Sequence, residues 1–169
     1  YTPADEAALL DLWNTSGTAL GFAPLDLEHF RGLLTRHPDF SMEYTFVLEV
    51  QGKVLGFANG CTGDHIPKGD VRGYVSCVIL SSEADTAENT ALLLAALEDA
   101  FRKAGRHYSA VTFFNPIRLP WLLPGTPGHQ HNNAPGIALD IPLHERMLAL
   151  GYQESTRECA MYLDLKDYE

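Results

Sequence analysis

In PADEAALLDLWN, Leu9, Leu10 and Trp13 fall at helical spacing, which predicts a helix over residues 4–16 that Gly17 ends. LDLEHFRGLLTRHP predicts a second helix, with Leu27, Phe30, Leu33 and Leu34 on one stripe and Pro38 as its stop. YTFVLEV and KVLGFANGC read as two strands joined at Gln51-Gly52 by a tight hairpin turn. VRGYVSCVIL reads as a third strand, apolar enough at its end to lie mid-sheet. A long helix follows in SSEADTAENTALLLAALEDAFRKAG. Its Leu93, Leu97 and Phe101 recur every fourth residue beside Ala96, Ala100 and Ala104, a face suited to lying flat on a sheet. HYSAVTFF is a fourth long strand, and residues 115–138, rich in proline, glycine, asparagine and histidine, are loop. PLHERMLALG is a short helix closed by Gly151, and CAMYLDL a last strand. Helices, a hairpin and then β-α-β-α-β, with no repeat or linker, predict a single α/β domain over residues 1–169 around a mixed sheet.

Charge narrows the range of partners. The 169 residues carry a net charge of −10 and a pI near 5.0, so nucleic acid and anionic membranes are not expected partners. Arg102, Lys103 and Arg106 read as cations that complement the end of the long helix. No apolar run approaches the roughly 18 residues of a membrane span, and no signal peptide pattern opens the chain. The three cysteines, Cys61, Cys77 and Cys159, lack metal-type spacing and are expected as reduced thiols of a cytoplasmic protein. The chain starts at Tyr1, without a methionine, and enters a helix almost at once, as a fragment of a longer protein would.

Three stretches, taken in order, resemble the GNAT superfamily of acyl-CoA-dependent N-acetyltransferases over residues 2–165. VLEVQGKVLGFANG is similar to that family's second and third strands. YVSCVILSSEADTAENTALLLAALEDAFRKAG is similar to its fourth strand and cofactor helix, and PLHERMLALGYQESTRECAMYLDL to its closing helix and last strand pair. The resemblance implies a GNAT-like mixed β-sheet flanked by helices, whose usual first strand would precede Tyr1. It implies acetyl-CoA as cofactor, entering the gap where the fourth strand splays from its neighbour, with its pyrophosphate on the amides that open the next helix. The cofactor contacts it implies are Val78, Leu80, Ala87, Asn89, Thr90 and Asn115.

Residue by residue, the family's pyrophosphate motif falls on Ala84, Asp85, Thr86, Ala87, Glu88 and Asn89, so the basic position is Ala84 and the small positions are Ala87 and Asn89. Asp85-Thr86-Ala87-Glu88 reads instead as a capping box that satisfies the helix internally. A carboxylate about 6 Å from a phosphate, at an effective dielectric near 20, costs roughly 3 kcal/mol. The motif is thus degenerate, and weakened cofactor binding is expected.

The catalytic pattern is equally altered. Transfer of an acetyl group needs an unprotonated amine and a proton for the departing thiolate. The family tyrosine that serves as acid falls on Met147, leaving His144, one turn earlier and expected to be exposed, as a weak substitute. Glu49 is a weak candidate base on a strand beside the hairpin, with Asp64 nearby, while Ser76 and Cys77 occupy the matching central strand. His129, His131, Asp140 and His144 fall within a short span, but His-x-His in a loop is not metal spacing, and no metal is predicted. Trp121, Leu122 and Leu123 are expected to pack on the domain or on a partner. Two functions therefore stand: acetyl transfer from acetyl-CoA to a small-molecule or peptide amine, or a non-catalytic binding or scaffold domain. The scaffold would pair with a second, active GNAT domain or a homodimer partner.

Overall fold

The apolar runs in the middle of the chain form the centre of a four-stranded sheet in a computed structural model that describes residues 1–112, 115–122, 130–131 and 136–157. β1 (Thr45–Val50), β2 (Lys53–Cys61), β3 (Arg72–Leu80) and β4 (Tyr108–Ala110) lie in that order. The pairs β1–β2 and β2–β3 are antiparallel, and β3–β4 is parallel. Gln51 and Gly52 both take positive φ (52° and 78°), as a two-residue hairpin turn requires. The last six residues of β2 and the inner seven of β3 are buried without alternation, because both faces of the sheet are covered.

One face is covered by α3 (Ala87–Lys103), whose Leu93, Leu94, Leu97 and Phe101 pack on Ala58, Val75 and Val78. The other face is covered by the N-terminal segment. There α1 (Glu6–Leu12) runs into a π-helical turn at Trp13–Gly17, and α2 (Leu27–Phe30) into another at Arg31–Thr35. Both predicted N-terminal helices therefore exist but change pitch midway. Leu9, Trp13, Phe30 and Leu34 are buried, while Leu27 of the expected stripe stays exposed.

α4 (Pro142–Ala149) ends as the sequence predicts. Gly151 has φ 97° and donates to Leu148 O, while Tyr152 N donates to Met147 O. This is a Schellman closure. It carries the Tyr152 phenol onto Glu98 Oε1 (2.7 Å), with Ser109 Oγ 2.7 Å from the same phenol oxygen, tying α4, α3 and β4 together. Burial, aided by the Glu98 carboxylate, raises the Tyr152 pKa above its ordinary value. The folded protein thus favours the neutral phenol. That stability is fully present below an ordinary phenol pKa of about 10 and is lost as pH rises through the raised folded-state value. Tyr152→Phe is expected to cost about 1 kcal/mol at neutral pH and to flatten the alkaline limb of a denaturation-versus-pH curve.

Of the expected fourth strand, Tyr108–Ala110 pair; residues 113–114 and the last predicted strand, 159–165, lie outside the described residues. In the loop, Trp121–Leu122 pairs with Gln130–His131 and joins Phe22 through a further bridge. Its head thus packs on the domain, while Leu123 lies outside the described residues. Among the described residues no helix is long and apolar enough to cross a membrane.

Candidate functional site

Among the described residues β3 and β4 pair from Arg72 to Tyr74 against Tyr108 to Ala110. Beyond that point a side chain stands where the next strand rung would be. Asn115, 5% exposed, donates Nδ2 to Val75 O (2.9 Å), and its Oδ1 accepts from Ile117 N (3.0 Å) and Ser76 Oγ (3.3 Å). This buried amide occupies the hydrogen-bonding edge of β3 just past its last pair with β4. Asn115→Ala would leave Val75 O and Ile117 N without their partner in a buried site. The expected cost is about 2 kcal/mol, read as a lower urea midpoint, together with weaker ligand binding in the gap.

Past this amide lies a narrow, tight groove, partly open to solvent. Its walls are β3 from Val75 to Val78 and α4 through Leu143 and Met147, with Phe22 from the N-terminal segment. The β2–β3 register shifts so that Asn59 faces Cys77 and Gly60 faces Val75, leaving Ser76 as a bulge residue at the groove. Among the described residues that line it, none is a carboxylate, histidine or lysine. Burial pushes the Cys77 thiol up to about 12, so it stays protonated and unreactive at neutral pH.

The helix start differs from expectation. The N-cap is Thr86, whose hydroxyl accepts from Asn89 N (3.1 Å), not Asp85. Thr86 N folds back to Ala84 O (2.8 Å), a carbonyl that also receives the Asn89 side chain (2.8 Å). That turn places Asp85 one residue outside the cap, where Arg146 of α4 takes its carboxylate. Glu83 is likewise paired, with Lys53 of β2. So the capping box is absent, and among the described residues the amides of Ala87 and Glu88 have no acceptor. Of the carboxylates around this helix start, Glu83, Asp85 and Glu88, the first two already face cations, which lowers the penalty anticipated from the sequence.

The remaining candidates fall as follows. Val78 lines the groove, and Leu80 lies half-buried at the end of β3. Thr90 is fully buried and donates its hydroxyl to Thr86 O (2.9 Å). Glu49 is exposed on β1 opposite Val54, two strands from β3. His144, expected to be exposed, has a side chain only 18% exposed, with Nε2 2.8 Å from Glu154 Oε1. Neither of these two is among the groove-lining residues. His129 and the side chain of His131 lie outside the described residues. Sequence reasoning missed Arg146 and Lys53, which reach the loop from 61 and 30 residues away. The nearest signal was that Arg146 directly precedes Met147, already placed at the site.

No family model matches the sequence, and no curated protein matches it. Solved structures do match the fold. A Trypanosoma brucei acetyltransferase superposes with a TM-score of 0.58 at 16% identity, covering 96% of each chain. AAC(6')-Iy, in complex with the bisubstrate analogue CoA-S-monomethyl-acetylneamine, gives 0.56 at 14% identity, covering 92% of this chain and 91% of that one. A Thermus thermophilus protein gives 0.53 at 18% identity, covering 96% and 93%. At such identities the likeness speaks for architecture alone: this chain has a GNAT-like fold, a four-stranded mixed sheet flanked by helices.

Proposed function

We propose that this chain is an acyltransferase of the GNAT type with a weakened cofactor site, moving an acetyl group from acetyl-CoA to an amine. The observation that carries the reading is the placement of the Asn115 amide. Asn115 takes the edge of β3 just past its last pair with β4, and the groove lies beside β3, the strand that leads to the open amides of Ala87 and Glu88 at the start of α3. Those amides, at the positive end of a helix of 17 residues, suit a diphosphate. The apolar walls at Val78, Leu143 and Met147 suit the linear arm that follows it. Bound acetyl-CoA would supply an activated thioester there.

The chain's own contribution would be positioning and exclusion of water, since no acid or base is found among the described groove residues. Turnover is therefore expected to be slow, with the amine arriving unprotonated. The buried thiols of Cys61 and Cys77 are compatible with a reducing, cytoplasmic setting.

Met147, and the lack of an acid among the described groove residues, favour a second reading, a non-catalytic scaffold that binds a second GNAT domain or its own copy. Calorimetric titration of acetyl-CoA decides between them. The transferase reading expects binding in roughly the micromolar range, followed by acetylation of members of an amine panel. No heat at millimolar acetyl-CoA would give the case to the scaffold.

A further inference from the structure

We infer that Asp85 is a tethered competitor: its carboxylate holds the Arg146 guanidinium that a phosphate of the proposed cofactor would otherwise take. This rests on the transferase reading and specifies how that site is regulated. The motif position that would carry a basic residue is Ala84, and its methyl is buried, so the loop supplies no cation of its own. α4 supplies one instead. The Arg146 side chain, 18% exposed, ion-pairs with Asp85 and donates to Asp85 O (3.1 Å) and to Thr90 Oγ1 (3.3 Å) in the first turn of α3.

Three observations set this pair apart from an ordinary surface bridge. A guanidinium at the positive end of a helix sits against the dipole, so Asp85 is the anion that balances it. Asp85 does no capping work, which Thr86 performs, so the helix does not need its charge. The Lys53–Glu83 pair on the same loop is by contrast open to water, with side chains 68% and 55% exposed, and is correspondingly weak.

A planar guanidinium binds a phosphate through the same paired donors that it offers a carboxylate. In this pair Nη1 serves the Asp85 carboxylate while Nη2 stays on Asp85 O, so a phosphate that takes Nη1 leaves the carboxylate to swing into solvent, where it is already 43% exposed. Because Arg146 adjoins Met147 in the groove wall, the exchange also couples cofactor capture to the seating of α4. Affinity is then reduced by the fraction of molecules in which Arg146 is held by Asp85.

Acetyl-CoA is titrated into the wild type, Asp85→Asn, Arg146→Ala and the double variant, with circular dichroism confirming the fold. Arg146→Gln replaces Arg146→Ala should the latter unfold. Asp85→Asn is expected to tighten binding roughly fivefold in the wild-type background. In the Arg146 background the same change is expected to give less than about twofold, because nothing is left to release. Binding by Asp85→Asn alone, with none by the wild type, would support the competitor in its strongest form. Unchanged or weaker binding on Asp85→Asn overturns the inference while leaving the transferase reading intact. So does an equal gain in both backgrounds, which would mean simple repulsion. Binding by none of the four proteins overturns both.

Discussion

Gly73→Ala is expected to destabilise the protein by about 3 kcal/mol or more, lowering Tm by roughly 6–12 °C for a domain of this length. A Cβ at Gly73 would lie 2.2 Å from Phe101 Cγ and Cδ2 and 2.5 Å from Cε2. The ring has nowhere to retreat. A Cβ position at Gly60 lies 2.8 Å from its Cζ, and Tyr44 packs against it with centroids 5.5 Å apart. Phe101 is therefore clasped between two bare backbones, and α3 must lift for alanine to fit. Lifting α3 also moves its open N-terminal amides away from the groove, so acetyl-CoA affinity is expected to fall with stability. Gly32→Ala is the control: nothing lies within 4 Å of that position, and it is expected to be neutral or slightly stabilising. Wild-type stability for Gly73→Ala would show that α3 does not sit this close to the sheet.

The same close approach explains which parts of the architecture were legible in the sequence. Leu93, Leu97 and Phe101 recur at helical spacing and are buried, since a helix lying on a sheet needs one continuous apolar face. The hairpin at Gln51-Gly52 and the buried run of β3 were legible for similarly local reasons. What local pattern could not reveal depends on distant partners. HYSAVTFF has the composition of a long strand, but its described part pairs over Tyr108–Ala110, because Asn115 takes the next carbonyl of β3. Asp85 looks like a cap in sequence, yet Arg146, 61 residues on, takes its side chain and leaves the cap to Thr86. The pitch change at Trp13–Gly17 also falls where this segment packs closely on the sheet. A Cβ at Gly17 would lie 3.0 Å from Ile79 Cδ1, and Trp13 Nε1 donates to Ala23 O (2.9 Å).

Met147→Tyr is expected to raise kcat for acetyl transfer roughly 100-fold, the lower end of the gain available from a positioned general acid. α4 holds residue 147 in the groove wall, 3% exposed. No described residue lining that groove has a proton to give a departing thiolate readily: Cys77 sits at about 12, and the Ser76 hydroxyl is engaged by Asn115. A phenol there acts in its protonated form, so the added rate should be present at neutral pH and lost as pH rises through the phenol pKa, ordinarily about 10. KM for acetyl-CoA should change little, because the hydroxyl matters at the reacting atoms and not along the groove. Met147→Leu, of similar volume without the hydroxyl, should show neither the gain nor the alkaline limb. If acetyl-CoA binds and Met147→Tyr still gives no faster transfer, the missing proton donor is not what limits the reaction. The groove would then be better understood as a recognition surface that retains the shape of a transferase without its chemistry.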